Sequence, residues 1–241
     1  MALSIAQSKA SATAGNSAAR TATFDTGPTA SRTVIVATVS KYPITSVTDS
    51  KSNTYVRDHQ FNANGVWVTY WSSIITTGGA TFTVTVRTAQ NGSLWFSMQE
   101  VVGKLTLLSK LNKSGTSKIP GPGVMAMSIA NTYALISCNV GLGTTSFPGP
   151  NPTSFTLRLG FNGGSGLCAG QIMDNVFDAV TSKTPTWATN VSRSWISGAV
   201  IYGEAVTASF TGTPTSGAAP LTVDFTDAST GDPVAWAWTF G

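Results

Sequence analysis

Short, alternating segments within residues 33–102 are the feature that most constrains the fold of this chain. They are residues 33–39, 44–56, 66–71, 80–87 and 94–102, all rich in β-branched and aromatic residues. Several of them alternate apolar and polar side chains at every second position, as half-buried strands do. Clusters of Asp, Asn, Ser and Gly lie between them and are typical of turns. The sequence therefore predicts an all-β, antiparallel fold.

The segments after residue 102 continue this pattern with two exceptions. Strands are predicted at residues 124–130, 133–140, 155–161, 186–189 and 194–203. Residues 104–111 are mildly amphipathic, and residues 112–123 are predicted as loop because Pro120 and Pro122 alternate with glycines. Residues 171–180 fit either a short helix, with Ile172 and Val176 on one side, or a strand followed by a turn.

The composition favours a protein that functions in contact with uncharged surfaces. Hydrophobic residues make up 41% of the 241 residues, enough for a buried core, whereas charged residues make up only 10%. Soluble domains average about 25% charged residues, and here Ser, Thr, Gly and Asn take up the polar share. Such a surface suits an extracellular or particle-borne protein better than a cytosolic enzyme.

The net charge of +4 does not predict a nucleic-acid partner. The basic residues are scattered, apart from a loose group of Lys104, Lys110, Lys113 and Lys118. A nucleic-acid site is expected to cluster its arginines and to interleave them with aromatic residues. We therefore expect no nucleic-acid binding and interpret the lysines as a solvated loop face.

The first residues predict neither a signal peptide nor a membrane anchor. The chain starts at Met1 and lacks a charged segment followed by an apolar one. No apolar run approaches the roughly 18 residues that a membrane-spanning helix needs. Either the chain is made in the cytoplasm without a signal, which the starting Met favours, or its signal has been removed, and we expect no membrane span.

The few possible metal ligands do not form a recognisable site. The chain has one histidine, His59, and two cysteines, Cys138 and Cys168, without Cys-x-x-Cys spacing. The cysteines either form a disulfide or remain two buried thiols, and the sequence leaves both open. Acidic clusters at residues 49–53 and 174–178 lack EF-hand spacing and fit turn capping better than calcium binding. No metal and no cofactor are predicted.

Three tryptophans are candidates for a ligand-stacking surface. Trp67 and Trp71 lie four residues apart and therefore share one face of a strand. Large aromatic side chains at such positions most often fill the core of a β-sandwich. The alternative is a sugar-stacking face made of Trp67, Trp71 or Trp95.

No arrangement of residues predicts catalysis, so we expect a protein that is not an enzyme. Asp58 and His59 are neighbours, but a triad also needs a nucleophile in a strained turn, and no Gly-x-Ser-x-Gly sequence occurs. We expect His59 in an exposed loop. Glu100 lies on a predicted strand without an obvious acidic partner for glycoside hydrolysis, and we expect it buried and bonded to a hydroxyl.

The last residues of the chain carry the most specific motif. It comprises Gly217, Pro220-Leu221, residues 223–227 (Val-Asp-Phe-Thr-Asp), residues 229–231 (Ser-Thr-Gly) and residues 236–241 (Trp-Ala-Trp-Thr-Phe-Gly). This segment resembles the start of a PKD-type immunoglobulin-like repeat. A complete sandwich of that kind takes about 100 residues, so we expect residues 206–241 to be an incomplete domain of a longer polypeptide. The resemblance implies a non-catalytic spacer or adhesion module.

Residues 18–202 resemble the jelly-roll sandwiches of phage and bacterial surface proteins. The resemblance rests on residues 45–55, 68–71, 81–86 and 100–103, and on Trp195, Ile201 and Tyr202. It implies a jelly-roll-like β-sandwich over residues 21–205, between an N-terminal arm (1–20) and the immunoglobulin-like segment (206–241). It also implies a structural or binding role.

Together these patterns predict a non-enzymatic structural protein of a phage virion. It would be a capsid-decorating or fibre protein at the virion surface that displays immunoglobulin-like modules outward. Such proteins form symmetric homo-oligomers, and we expect residues 2–32 to contact a neighbouring subunit, with other virion proteins as further partners. The alternative is a secreted bacterial adhesin or carbohydrate-binding module, with surface glycans as its partners.

Overall fold

The fold consists of β-strands joined by turns and loops. A computed structural model describes residues 3–11, 17–141, 152–162, 169–189, 191–204 and 206–229, together with residues 237 and 239. No helix occurs among these residues. All strand pairs between them are antiparallel, which confirms the predicted all-β, antiparallel fold.

The first eight strands form a jelly roll. They are β1 (Ile5–Ser11), β2 (Ser17–Thr23), β3 (Thr33–Ser40), β4 (Ile44–Asp49), β5 (Val56–Ala63), β6 (Val66–Ile74), β7 (Thr83–Gly92) and β8 (Leu94–Val101). One sheet, which we name the first inner sheet, has the strand order β1-β8-β3-β6-β5. The other, the outer sheet, has the order β2-β7-β4. Most consecutive strands cross from one sheet to the other, as in a jelly roll.

The next seven strands repeat this topology. They are β9 (Leu105–Ser117), β10 (Met125–Met127), β11 (Thr132–Val140), β12 (Thr156–Asn162), β13 (Ala169–Phe177), β14 (Thr181–Lys183) and β15 (Arg193–Glu204). The second inner sheet has the order β9-β15-β11-β13-β12, and β10 pairs with β14. This order matches β1-β8-β3-β6-β5, and the β10–β14 pair matches β2–β7; only β4 lacks a counterpart among the described residues. Where the sequence predicted one sandwich over residues 21–205, the structure contains two units of the same topology.

The two inner sheets pack face to face, and the buried side chains form three layers. The middle layer joins the inner sheets and includes Ile35, Tyr70 and Trp95 from the first and Leu135 and Val200 from the second. Another layer lies between the first inner sheet and the outer sheet, and a third lies beneath β10. Each inner sheet is covered on both faces, so every residue of β3 and β11 is buried.

Gly198 of β15 allows the inner sheets to approach each other closely. A Cβ atom at this position would lie 2.6 Å from the ring of Phe61 on β5 and 3.1 Å from Tyr70 Oη on β6. Side-chain carbons do not pack at the first of these distances. The aromatic rings of the first inner sheet therefore rest on the bare backbone of the second.

The structure corrects the sequence-based assignment at the edge strands. Residues 56–63 form β5, so His59 lies on a strand and is half-buried, not in an exposed loop. The strand β9 continues to Ser117, through residues that were predicted as loop. Edge strands carry many polar residues because one side of them meets water, which weakens the alternation that identifies a strand. Residues 169–177 form β13, so the strand interpretation of that segment is confirmed.

The two ends of the chain join the fold differently. Within the predicted N-terminal arm, β1 pairs with β8 in the first inner sheet, while β2 pairs with β7 in the outer sheet. At the other end, β16 (Phe210–Thr213) and β17 (Asp224–Asp227) form a separate two-stranded sheet. Its Phe210 and Phe225 side chains are 59% and 42% exposed. Most of residues 230–241 lie outside the described residues, so the immunoglobulin-like assignment stays a prediction.

Replacing Gly198 by alanine is expected to lower the free energy of unfolding by about 1–3 kcal/mol, because the added methyl group overpacks the middle layer. Gly160→Ala is the matched control on β12, since a Cβ atom there would meet only Leu157 Cδ2, at 3.8 Å. Chemical denaturation of the wild type and both variants measures the difference. Equal stabilities of the two variants would contradict the role given to Gly198.

Candidate functional site

A β-bulge on β5 turns an acid and a histidine toward the second unit. In the register of β5 with β6, Asp58 is the extra residue without a partner, and His59 pairs with Tyr70. The His59 ring stacks on Tyr70 with 6.4 Å between centroids and 6° between ring planes, and Asp58 bonds to Tyr202 of β15. Regular strand alternation would have placed the two side chains on opposite faces.

Two tyrosine hydroxyls form hydrogen bonds directly between the inner sheets. Tyr202 Oη donates to Asp58 Oδ2 at 2.7 Å, and Tyr70 Oη lies 2.6 Å from Ser137 Oγ. Each bond joins one unit to the other. Because a buried polar group without a partner is unfavourable, these pairs hold the two sheets in one relative position. We name Asp58, His59, Tyr70, Ser137 and Tyr202 the seam network.

The environment of the seam network shifts the pKa values of its acid and its histidine in opposite directions. Burial raises the pKa of Asp58, although bonds from Tyr202 and Ser72 and the charge of Lys110 act against this. Burial lowers the pKa of His59, and the charge of Lys110 lowers it further, while Asn112 opposes both effects. The His59 ring is therefore uncharged at neutral pH.

The seam network does not have the geometry of a catalytic triad. A triad joins nucleophile to base and base to acid through hydrogen bonds. Here Asp58 and Ser137 are bonded to tyrosines, and His59 Nε2 is shielded from solvent with no hydrogen-bond partner. The arrangement positions two sheets and provides no activated nucleophile.

Glu100, the acid expected to point inward from β8, is 2% exposed and bound by three groups. Its Oε1 accepts hydrogen bonds from Arg32 Nη1 and from the Thr29 backbone N–H, both at 3.0 Å. Gln7 Nε2 donates to Oε2 at 2.7 Å. The expectation of a hydroxyl partner is wrong. These bonds attach β1 and the segment after β2 to β8.

In each acidic cluster considered for calcium, the first aspartate has its oxygens occupied by groups of the protein. Asp174 accepts hydrogen bonds from Arg158 Nε at 2.6 Å and from Tyr133 Oη at 2.9 Å. Burial raises the pKa of Asp174, and these two partners oppose the shift. Asp49 caps its own turn, as predicted, by accepting from the Asn53 backbone N–H at 3.2 Å. Among the described residues, no group of three or more His, Cys, Asp or Glu is arranged to hold a metal.

The structure separates the three tryptophans proposed for ligand stacking. Trp95 is 2% exposed in the middle layer, where its ring stacks on Phe161 at a centroid distance of 4.4 Å. Trp71 is 9% exposed and packs between the first inner sheet and the outer sheet. Trp67 is half-buried. The three rings therefore do not form one platform, and Trp67 is the most exposed of the three.

Cys138 is a buried free thiol on β11, and burial raises its pKa well above the ordinary value. Its side chain packs in the layer beneath β10. Cys168 lies outside the described residues. Of the two alternatives, the structure therefore shows a buried thiol at Cys138, and the state of Cys168 stays a prediction.

The loose lysine group lies along an edge strand, not on a loop. Lys110 and Lys113 belong to β9, the edge of the second inner sheet, and Lys104 and Lys118 flank it. Charged side chains along an edge hinder pairing with the strand of another chain. Protection of this edge accounts for their position.

Comparisons with known proteins find no match, whether with family models, curated proteins or solved structures. The fold and the seam network define an all-β protein made of two stacked jelly-roll units. The described residues contain no helix of the length and apolarity needed to cross a bilayer.

Replacing His59 by glutamine is expected to flatten the dependence of stability on pH between about 7.5 and 5.5. The pKa of His59 is lowered on folding from 6.5, so its stabilising contribution is present above that value and lost as the pH falls. We expect an effect of about a few tenths of a kcal/mol, because the ring is only half-buried. Thermal unfolding across this range measures it.

The neighbouring variant Gln60→Asn serves as the control and is expected to keep the wild-type slope, since it retains the histidine. Asp58, Lys110 and Asn112 are unchanged in all three proteins, so a difference in slope is assigned to the histidine. If stability depends on pH in His59→Gln as steeply as in the wild type, another group controls the loss of stability at low pH.

Proposed function

We propose that this chain is a non-enzymatic structural protein of a phage virion, a capsid-decorating or fibre protein at the virion surface. The observation that carries the proposal is the fusion of two jelly-roll units through one shared core. Jelly rolls recur in viral capsid and lectin domains. Because a fold by itself does not define a function, the proposal also depends on how the chain uses its polar groups.

The buried acids support a role in holding a shape. Asp58, Glu100 and Asp174 each accept hydrogen bonds from tyrosine, arginine or amide groups of the same chain. A general acid or base must instead have an oxygen or nitrogen within reach of a substrate. Pairing of this kind makes the framework rigid, as a particle component requires.

The position of the N-terminal strands supports assembly with other subunits. The strands β1 and β2 lie at the edges of the first inner sheet and the outer sheet. Strand edges present unpaired backbone N–H and C=O groups to a neighbouring chain. With only 10% charged residues, such a surface meets little electrostatic repulsion in a symmetric homo-oligomer or against other virion proteins.

Purified particles provide the test of this proposal. Phage particles from the source culture, banded by density and washed, are expected to contain peptides from both inner sheets at the abundance of a structural component. A cytoplasmic host protein, followed in the same fractions, is expected to be depleted. Recovery of the chain only from the medium or the cell surface, away from particles, would contradict the virion assignment.

A second candidate is a secreted bacterial adhesin or carbohydrate-binding module. The half-buried ring of Trp67 favours it, because an accessible aromatic face can stack on a sugar ring. Jelly rolls also serve as lectins, so the fold accommodates this role equally well.

Under this second candidate, a glycan from an array is expected to quench tryptophan fluorescence of the full chain saturably. Trp67→Ala is expected to weaken that binding about three- to tenfold through the loss of ring stacking. Trp71→Phe, at the buried neighbour on the same face, is the control and should bind as the wild type does. Absence of saturable quenching with any glycan would remove this candidate.

A further inference from the structure

A cleft at one end of the interface between the inner sheets is built by both units. Its volume is about 440 Å³, within the range of small-molecule sites, which is about 300–1,000 Å³. The lining residues are Asn64 from the first unit and Thr116, Gly141, Ser192, Arg193 and Ser194 from the second. Trp67 is not among the lining residues of this cleft. It shares a face of β6 with Trp71, which packs toward the outer sheet.

Polar groups from several strand ends converge around this cleft. Thr116 on β9 and Ser194 on β15 are register partners, and their hydroxyl oxygens lie 3.5 Å apart. The Gly141 N–H donates to the Ser194 carbonyl at 2.7 Å and closes the end of β11. Asn64 forms the turn between β5 and β6 with a φ of 55° and is exposed. Hydroxyl and amide groups of this kind bind the hydroxyls of sugars.

Arg193 adds a positive charge with an unused donor. Its Nε is shielded from solvent and has no hydrogen-bond partner. By contrast, Arg32 and Arg158 bind carboxylates of the same chain. Because Nε is closed to solvent, a ligand in the cleft meets the guanidinium at its terminal amino groups. A guanidinium binds a carboxylate through two parallel hydrogen bonds, and the described residues of the cleft lining include no acid to compete.

We propose that this cleft binds an acidic sugar, with the carboxylate at Arg193 and the ring hydroxyls at Thr116, Ser194 and Asn64. A neutral sugar leaves the arginine unpaired, and an inorganic anion fills only a small part of a cleft of about 440 Å³. The proposed site consists only of residues of this chain and does not depend on where the protein is located. The sugar-binding proposal and the virion proposal can therefore each fail without the other.

Titration calorimetry of the full chain tests the ligand class. The probes are glucuronic acid and N-acetylneuraminic acid, with glucose and inorganic sulfate as matched comparisons. We expect saturable binding of at least one acidic sugar, about tenfold tighter than either comparison, because charge-assisted and neutral hydrogen bonds then act together. Binding of sulfate as tightly as the acidic sugar would overturn the proposal, and so would no binding of either acidic sugar.

Two substitutions test the residues. Arg193→Gln is expected to weaken binding of the acidic sugar at least about tenfold, whereas Arg87→Gln, at an exposed arginine on β7, should leave it unchanged. Thr116→Val removes one hydroxyl at an exposed position and is expected to weaken binding about threefold to tenfold. Wild-type affinity in Arg193→Gln would overturn the proposal. If Arg193→Gln does not fold, wild-type affinity for the acidic sugar in Thr116→Val would overturn the proposal instead.

Discussion

The packing of the two inner sheets against each other is the constraint on which the rest of this structure depends. Because both sheets lie inside the molecule, β3 and β11 are buried on both faces, and most of their residues are apolar. The contact between the sheets requires a bare backbone at Gly198, where the Phe61 ring of the other unit rests. The stack of Trp95 on Phe161 fills the same layer from both sides.

This packing also determines what the polar residues can do. The bulge at Asp58 places an acid and the single histidine between the sheets, where tyrosines bind the acid and burial keeps the histidine neutral. A related bulge on β12, at Arg158, provides the cation that pairs with Asp174. The two units thus use irregular strand positions to satisfy buried charges, which favours rigidity over reactivity. The end of the same interface leaves open a cleft with an unpaired arginine.

Much of the secondary structure could be predicted from local pattern. The apolar runs that became β3, β8 and β11 and the turn signals at Asp49 and Asn64 are local, because β-branched residues and short polar side chains act within a few positions. The failures occurred where the pattern is weak. The strands β5 and β9 are edges with many polar residues, so His59 on β5 and residues 112–117 of β9 were assigned to loops.

The sequence by itself determined that this chain is an antiparallel β protein with a large apolar core and few charges. Only the tertiary structure decided that there are two units of one topology. A strand needs only an alternation of apolar and polar side chains, so two units can share a topology without any similarity between their sequences. It alone paired Glu100 with Arg32, 68 residues away, and set Tyr202 against Asp58. Such contacts follow from the register and stacking of sheets, which depend on long-range packing and leave no local signal in the chain.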